Sequence, residues 1–412
     1  MAEPTRSPLA PKSFPRLPVI AGLKMGSLAA GIKYKRRADL TLFELAKGST
    51  IAGVFTQSTM PGAPVEWCRQ HIRGGRVRGI VINAGNANVF TGAAGLTAVE
   101  DTAKSAAKLI GAKAGEIFVA STGVIGETLA VDRLITKLPT LHRKLVAKRW
   151  SNVAKAICTT DTFPKAATRT AFIDGNDVQI TGIAKGSGMI MPDMATMLAF
   201  LFTDAKIPAP VLQSLLKSAC NQSFNAITVD GDTSTSDTVL LCATGQGPRH
   251  KAVTNARDPR LKDFKAALQD LTRDLAQQVV RDGEGASKFI AITVSGAENK
   301  KAAKRIALTV ANSPLVKTAI AGEDANWGRI IMAVGRAAEK ANRDKLAIRI
   351  GGISIAKNGY PDPDYREEQV IDHMRGQEID IAIDVGIGRG KATVWTCDLT
   401  HGYISINADY RS

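Results

Sequence analysis

The stretch Gly182–Phe200, GIAKGSGMIMPDMATMLAF, combines residue types that are able to do chemistry on a carbonyl group. Its glycine-rich turn, with Gly186 and Gly188, lets the backbone approach a bound molecule closely. Lys185 places a cation directly before this turn, and Thr196 adds a hydroxyl group in an apolar, methionine-rich setting. A buried threonine is most often only part of a core, so this stretch alone leaves a structural and a catalytic interpretation open.

Five further clusters of small polar residues occur in the chain: Ser121–Gly123, Thr159–Thr162, Asp230–Thr238, Asp282–Gly285 and Asn407–Ser412. Runs of this composition most often form turns and caps. Where such a run ends a strand, however, a hydroxyl group and backbone N–H groups are able to converge on an oxyanion, which makes Ser121–Gly123 a candidate. The run Asp230–Thr238 lacks the terminal glutamate and the ligand spacing of a calcium loop.

Charge and composition exclude some classes of function. The 412 residues carry a formal net charge of +16, which is compatible with nucleic-acid binding. However, the basic residues are dispersed and aromatic residues make up only 5% of the chain. A solvated basic surface that attracts acidic metabolites is the better interpretation, so we expect no nucleic-acid partner. The sequence has no run of 18 apolar residues, so we also expect no membrane partner.

Cysteine and histidine do not suggest a metal centre. The five cysteines are far apart and form no C-x-x-C pair, which argues against both a zinc site and a disulfide framework. Reduced cysteines are typical of a cytoplasmic protein, and this is the expected location. The five histidines have no metal-ligand spacing, although a histidine-based catalytic triad is left open.

Strand-like and helix-like segments alternate along the chain, which indicates a layered α/β or α+β fold. The apolar patterns predict strands at 78–84, 117–120, 178–184, 197–203, 289–294, 306–310, 346–355, 379–383 and 392–397. Helical spacing predicts helices at 98–110, 211–220, 261–281 and 326–341. Residues 1–18 lack the apolar stretch of a secretory signal and are interpreted as a flexible leader. The charged segment Glu298–Arg305 is the best candidate for a domain boundary.

Taken together, the polar clusters closely resemble the ornithine acetyltransferase (glutamate N-acetyltransferase) family of arginine biosynthesis. Eight ordered motifs carry the resemblance from about Val19 to Ser412: NAGNAN (83–88), STGVIGE (121–127), TTDTFPK (159–165), KGSGMIMPDMATM (185–197), ITVDGDTSTSDT (227–238), DGEGASKF (282–289), ANSPLVKTAIAGEDANWGRI (311–330) and INADYRS (406–412). The sequence departs from the family pattern at Phe90, Asp193, Ala226, Ser236 and Ser412, and none of these changes removes a catalytic group.

The resemblance implies a fold, an activity and an assembly. The fold is an α+β, layered αββα arrangement that is similar to N-terminal nucleophile hydrolases but connected differently. The enzyme transfers an acetyl group from N2-acetylornithine to glutamate through an acetyl-Thr196 intermediate, without a cofactor, and acetyl-CoA is a candidate second donor. Self-cleavage divides the chain into an alpha chain (19–195) and a beta chain (196–412), which associate as a heterotetramer. Within the beta chain, residues 196–300 complete the catalytic core and residues 301–412 form a C-terminal α/β domain.

The resemblance also implies roles for individual residues. Thr196 is the nucleophile, and the bond between Ala195 and Thr196 is the cleavage site. Thr122 and Gly123 form the oxyanion hole. Substrate contacts are implied for Thr162, Lys185, Thr196, Glu284, Asn407 and Ser412.

The free α-amine that cleavage creates has an ordinary pKa of roughly 7.7–8.0, so it is suited to act as the general base without a histidine. Two other functions remain as alternatives. The first is a self-cleaving aminopeptidase or amidase of similar fold, in which water replaces glutamate as the acceptor. The second is a basic binding protein without catalytic activity.

Overall fold

In the computed structural model, the described residues are 5–34, 37–191 and 197–408. The strands are β1 (Leu23–Leu28), β2 (Leu40–Leu45), β3 (Thr50–Phe55), β4 (Gly79–Asn86), β5 (Ile117–Val124), β6 (Lys165–Ile173), β7 (Asn176–Lys185), β8 (Leu198–Thr203), β9 (Thr238–Ala243), β10 (Phe289–Ala297), β11 (Ala347–Ile350), β12 (Ile353–Lys357), β13 (Tyr360–Pro361), β14 (Glu378–Asp384) and β15 (Gly390–Cys397). The α-helices are α1 (Ala63–His71), α2 (Gly92–Ile110), α3 (Val131–His142), α4 (Trp150–Ala156), α5 (Ala209–Asn221), α6 (Lys262–Arg281), α7 (Lys300–Ala311), α8 (Pro314–Ala321), α9 (Trp327–Gly335), α10 (Glu368–Arg375) and α11 (His401–Ala408).

Two sheets face each other across an apolar core. The first has the order β1-β2-β4-β5, and the second has the order β3-β9-β8-β7-β6. Side chains from both sheets meet between them, including Phe43 of β2 and Phe202 of β8, whose ring centroids lie 4.8 Å apart. The strands β4, β8 and β9 are buried on both faces, which explains why they read as continuous apolar runs rather than as an alternating pattern.

Helices cover the outer face of each sheet. Apolar side chains of α2 and α3 pack on the first sheet, and those of α5 and α6 pack on the second. In α6, buried residues recur at the three- and four-residue spacing of an amphipathic helix, as in Leu268, Leu271 and Leu275. The layers therefore follow the order helix, sheet, sheet, helix, and the predicted α+β class with an αββα arrangement is confirmed.

A third sheet, with the order β13-β12-β11-β14-β10-β15, packs against α7, α9 and α10 around a core of its own. The chain enters this sheet at β10, before the candidate boundary at Glu298–Arg305. An isolated bridge between Ile227 and Trp395 links the third sheet to the polypeptide that leads into β9. The division of the chain into the fragments 19–195 and 196–412 stays a prediction.

The expected strand at 306–310 is wrong, because these residues lie in α7. Asn299 caps that helix by accepting a hydrogen bond from the Ala302 N–H, and Ile306 and Val310 lie on its buried face. A five-residue apolar window is too short to distinguish a buried helix turn from a strand. Two other segments also differ: α9 ends at Gly335, and residues 346–355 form a hairpin of β11 and β12 rather than one strand.

Candidate active site

The ends of strands from the two facing sheets bring Thr122 and Lys185 together. Thr122 lies near the end of β5 in the first sheet, and Lys185 is the last residue of β7 in the second. Lys185 Nζ donates hydrogen bonds to Thr122 Oγ1 at 3.2 Å and to Thr159 Oγ1 at 2.9 Å. Both Lys185 and Thr122 are buried, so this lysine and this hydroxyl group interact in a largely water-free environment.

Only glycine fits at position 123. Its φ is +131°, and a Cβ atom there would lie 2.3 Å from the backbone carbon of Gly85 in the neighbouring strand β4. The register between β4 and β5 shifts at this point, where Gly85 pairs with Gly123. The close approach of two backbones next to Thr122 is therefore built into the sequence as a pair of glycines.

A buried network of charges lies beneath Lys185. Lys165 Nζ contacts Asp161 Oδ1 at 2.7 Å and Asp282 Oδ2 at 2.5 Å, and all three side chains are fully buried. Lys185 Nζ lies 3.9 Å from Asp161 Oδ2, and the Gly186 N–H donates to Asp161 Oδ1 at 2.6 Å. Two lysines thus balance two carboxylates, which is the arrangement that buried charges require.

Burial and ion pairing act in opposite directions on these groups. Burial alone would raise the pKa of Asp161, but the positive charges of Lys165 and Lys185 and the Gly186 N–H hold it well below its ordinary value. Burial opposes the charge on Lys165, yet Asp161 and Asp282 raise the pKa of this lysine. Burial raises the pKa of Asp282, although Lys165 partly offsets this effect. Asp161 and Lys165 are therefore charged at neutral pH.

Thr162 belongs to this network rather than to the Lys185 contact. Its N–H donates to Asp282 Oδ2 at 3.0 Å, and its hydroxyl donates to Asp282 Oδ1 at 2.5 Å. Thr162 Oγ1 also accepts a hydrogen bond from the Ser7 N–H. Thr162 thus holds Asp282 in place, and its implied contact with a substrate stays a prediction.

Glu284 lies against the glycine-rich turn. Its N–H donates to the Ser187 carbonyl at 3.0 Å, and a Cβ atom on Gly188 would lie 2.4 Å from Glu284 Oε2. The Glu284 carboxylate therefore lies against the turn at Gly188, which is possible only because this residue has no side chain. Burial raises the pKa of Glu284, and hydrogen bonds from Asn407 and Thr160 partly oppose that shift.

The C-terminal helix α11 packs on the Glu284 turn. Asn407 Nδ2 donates to Glu284 Oε2 at 2.9 Å, and Tyr403 Oη donates to Asp230 Oδ2 at 3.3 Å. A Cβ atom on Gly285 would lie 2.4 Å from the Tyr403 nitrogen, so the helix sits directly on this glycine. The structure thereby brings together Glu284 and Asn407, two residues that are 123 positions apart in the chain.

The residues Ala195, Thr196 and Ser412 lie outside the described residues. The residue that follows Thr196 is described: the Met197 N–H donates to Asp237 Oδ1 at 2.9 Å. In the next position, Leu198 pairs with Lys185 in the register of β7 and β8. Strand β8 thus begins beside the end of the strand that carries Lys185.

Asp161, Lys165, Asp282 and Asp237 were not predicted as functional residues from the sequence. All four lie within motifs that were noted, but residues 161–165 are not helical, so the four-residue spacing of Asp161 and Lys165 gave no local signal of their ion pair. Among the described residues, no group of three or more His, Cys, Asp or Glu side chains is arranged to hold a metal ion. No helix in the described part of the chain is long and apolar enough to cross a membrane.

An αββα sandwich with a lysine and a threonine hydroxyl at its strand ends, and a glutamate in the turn after α6, has the groups that an acyl-transferring enzyme needs. A model of the ArgJ family matches residues 24–412. The chain is 56% identical over 408 residues to the arginine biosynthesis bifunctional protein ArgJ of Agrobacterium fabrum, with 98% of this chain and 99% of that protein covered. It is 55% identical over 413 residues to the protein of the same name from Gluconobacter oxydans, with 100% and 97% covered.

A solved structure of ornithine acetyltransferase complexed with ornithine, from Mycobacterium tuberculosis, matches with 31% identity and a TM-score of 0.37, covering 42% of this chain and 92% of that one. The family model and the two relatives cover nearly the whole chain, and the chain belongs to the ArgJ family. The family predicted from the eight motifs is thus confirmed. The relatives also support the acetyltransferase interpretation over the aminopeptidase alternative.

Proposed function

We propose that this protein cleaves itself between Ala195 and Thr196 and then uses Thr196 as the nucleophile that carries an acetyl group from N2-acetylornithine to glutamate. The observation that carries the proposal is the meeting of Thr122 and Lys185 beside the start of β8, because Thr196 is bonded to the residue that precedes this strand. The names of the relatives support the pathway, since they are arginine biosynthesis proteins.

Self-cleavage begins when Thr196 Oγ attacks the Ala195 carbonyl carbon. The new ester bond forms as the peptide C–N bond breaks, and the hydroxyl proton is transferred to the departing nitrogen. Water then hydrolyses the ester, which releases the Ala195 carboxylate and leaves Thr196 with a free hydroxyl group. The same hydroxyl attacks the acetyl carbonyl of acetylornithine, with the new α-amine as general base, and ornithine leaves before glutamate accepts the acetyl group.

Thr122 is suited to stabilise the oxyanion because its hydroxyl oxygen accepts a hydrogen bond from Lys185. A threonine hydroxyl has one proton to donate, and the lysine does not use it. The positive charge of Lys185 polarises that hydroxyl, and Gly123 supplies a backbone N–H next to it. Each such donor is worth on the order of 3 kcal/mol in the transition state.

Lys185 and Asn407 are proposed to bind the α-carboxylate that the donor and the acceptor share, together with Ser412. Two hydrogen bonds occupy Lys185 Nζ, and the contact with Asp161 at 3.9 Å is longer than a hydrogen bond. Contacts with the described residues thus leave one ammonium proton for a carboxylate. Glu284 is proposed to bind a cationic amine. Thr162 is proposed to support the same site by holding Asp282 in place through its two hydrogen bonds.

We further propose that acetyl-CoA is a second acetyl donor, that no cofactor is required, and that the enzyme is a cytoplasmic heterotetramer of two alpha and two beta chains. The word "bifunctional" in the relatives' names supports a second donor. A donor assay with glutamate as acceptor, comparing acetylornithine with acetyl-CoA, tests this part. Activity with acetylornithine alone would remove the second donor.

The experiment that tests the nucleophile combines intact mass with activity. Purified protein is expected to contain fragments 1–195 and 196–412, whereas Thr196→Ala is expected to stay uncut and inactive. The exposed Thr97→Ala is the matched control, and it should be cut and active. A single uncut species of the unmodified protein with full activity contradicts the proposal.

The role of Lys185 is tested separately. Lys185→Ala is expected to be cut but to bind acetylornithine poorly, with KM raised. The exposed Lys108→Ala is the control and should keep its kinetics. Kinetics of Lys185→Ala equal to those of the control would remove Lys185 from the site.

A further inference from the structure

Asp237 is a buried carboxyl group that none of the roles above uses. It lies directly before β9, with none of its surface exposed, and Oδ1 accepts the hydrogen bond from the Met197 N–H at 2.9 Å. Its second oxygen, Oδ2, is buried and has no hydrogen-bond partner in the described part of the chain. Asp161 and Asp282, in contrast, each contact a lysine.

An unpartnered carboxyl oxygen in a protein interior is costly, so its presence calls for an explanation. Burial raises the pKa of Asp237 well above its ordinary value, and the positive charge of Lys185 offsets this only in part. Residues 5–34, 37–191 and 197–408 contain no lysine, arginine or histidine in salt-bridge contact with Asp237. Among the described residues, Asp237 Oδ2 therefore has no donor to pair with, although Oδ1 has the Met197 N–H.

Cleavage at Thr196 would supply such a donor. The Met197 nitrogen, which Asp237 already binds, is separated from the Thr196 nitrogen only by the carbonyl carbon and the Cα atom of Thr196. The new amine therefore forms on the residue directly bonded to Met197, whose N–H Asp237 already binds. Before cleavage that nitrogen is an amide; afterwards it is an amine with additional protons to donate.

We propose that Asp237 is a positioning residue of the transfer reaction, whose free oxygen accepts a hydrogen bond from the α-amino group that cleavage creates on Thr196. This hydrogen bond orients the amine so that its lone pair faces the Thr196 hydroxyl. The inference rests on the proposed function, because it requires cleavage at Thr196. Asp237 thus binds the new amine, whereas the other residues of the site bind the substrate or the oxyanion.

Loss of the Asp237 charge is expected to leave cleavage unchanged and to alter only acetyl transfer. The amine does not exist before cleavage, so a variant that keeps the contact with Met197 is expected to cut itself normally. Once the amine exists, a carboxylate beside it stabilises its protonated form. Removing that carboxylate therefore lowers the pKa of the amine and shifts the acid limb of the transfer reaction to lower pH.

Asp237→Asn is the test, since its amide oxygen is able to accept the Met197 N–H while the negative charge is lost. The expected result is complete cleavage, a kcat for acetyl transfer reduced about tenfold or more, a KM for acetylornithine changed less than about twofold, and an acid limb at lower pH. The fall in kcat stays below the roughly 10²–10⁴-fold contribution of a whole general base. A merely structural role for Asp237 would not move the acid limb.

Asp204→Asn is the matched control. Asp204 is also buried, follows the other end of β8, and accepts a backbone hydrogen bond from Gln179 at 2.8 Å. This variant should match the unmodified protein in cleavage, kcat and pH profile. If Asp237→Asn also matches it in all three, the inference about Asp237 is wrong while the proposed function stands. If the unmodified protein is never cut, the proposed function itself fails, and this inference fails with it.

A second measurement covers the case in which Asp237→Asn does not fold. In the unmodified cleaved enzyme labelled with ¹⁵N-threonine, the α-amino signal of Thr196 is expected to titrate above the roughly 7.7–8.0 of a free peptide amine. A titration at or below that range would overturn the proposed hydrogen bond.

Discussion

Replacing Lys165 with methionine tests how the buried charges support the site. The side chain of Lys165 is fully buried, and its Nζ lies 2.7 Å from Asp161 and 2.5 Å from Asp282. Methionine has a similar length but no charge, so Lys165→Met removes the ion pairs with little change in packing. In this variant both carboxylates lose their ion pair with Lys165, and Asp161 keeps only a longer contact with Lys185 at 3.9 Å.

The expected loss of stability follows from the carboxylates that remain. Breaking a buried ion pair by removing one partner costs about 3–5 kcal/mol. Unfolding entropy of about 2.1 cal/mol/K per residue, applied to 412 residues, gives roughly 0.9 kcal/mol/K for this chain. The melting temperature of Lys165→Met should therefore fall by about 3–6 °C at pH 7 to 8.

The pH dependence of this loss has a definite sign. The pKa of Asp161 is held below its unfolded value near 3.9, so its stabilising contribution is present above that pH and disappears as pH falls through the folded value. Without Lys165, the pKa values of Asp161 and Asp282 rise, and both groups take up protons more readily in the folded state. The difference in melting temperature between the two proteins should therefore shrink as pH falls from 8 to 4.

The assay is thermal unfolding at several pH values, with both proteins in the Thr196→Ala background so that each is a single chain. Lys301→Met, at an exposed position of α7, is the control and should change stability by less than about 0.5 kcal/mol. A drop in melting temperature no larger than that of the control, or one that does not vary with pH, would refute the argument that Lys165 balances two buried carboxylates.

Three further variants test single contacts of the site. Gly123→Ala should lower kcat by about 10²-fold or more, because its Cβ would lie 2.3 Å from Gly85 and the left-handed backbone adds about 1–3 kcal/mol of strain. At Gly126, φ is +83° and an added Cβ would meet no described atom within 4 Å beyond its chain neighbours. Gly126→Ala should therefore have a much smaller effect in the same kinetic assay. Gly188→Ala should displace the Glu284 carboxylate, which would lie 2.4 Å from the new methyl group, and thus raise KM for acetylornithine without preventing cleavage; an unchanged KM would contradict this. Because burial raises the pKa of Glu284, the acid side of the kcat/KM profile for acetylornithine should contain a second ionisation besides that of the Thr196 α-amine, above the ordinary glutamate pKa of about 4.3. Glu284→Gln should remove only this second ionisation.

The layered fold was predictable because most of its strands can be recognised from short apolar runs in the local sequence. Residues 178–184 and 197–203 were predicted as strands, and the structure extends the first to Asn176–Lys185 and starts the second at Leu198. The pairing of strands was not predictable, since β3 joins β9 in the second sheet although β1 and β2 belong to the first. Residues 306–310 were misassigned because Ile306 and Val310 lie on a helix face that buries apolar residues as completely as a strand does.

Within the site, the motifs predicted residues that carry polar groups near the ends of strands, such as Thr122 and Lys185. They did not predict the partners that determine the state of those groups. Lys165 and Asp282 are 117 positions apart, and nothing in either motif indicates that one neutralises the other. The same reason applies to Asp237, which is one acid in a polar run until β8 places the Met197 N–H against it.

The position of the proposed cut explains how one chain could be divided without losing its fold. The cut falls between β7 and β8, which pair antiparallel from Ile180 and Thr203 to Lys185 and Leu198. Strand β3, from the part of the chain before the cut, pairs with β9, from the part after it. Both parts therefore contribute strands to one continuous sheet, and hydrogen bonds on either side of β8 and β9 hold them together. Cleavage would release only the peptide bond before Thr196, which frees its nitrogen while the strand that follows stays fixed between β7 and β9.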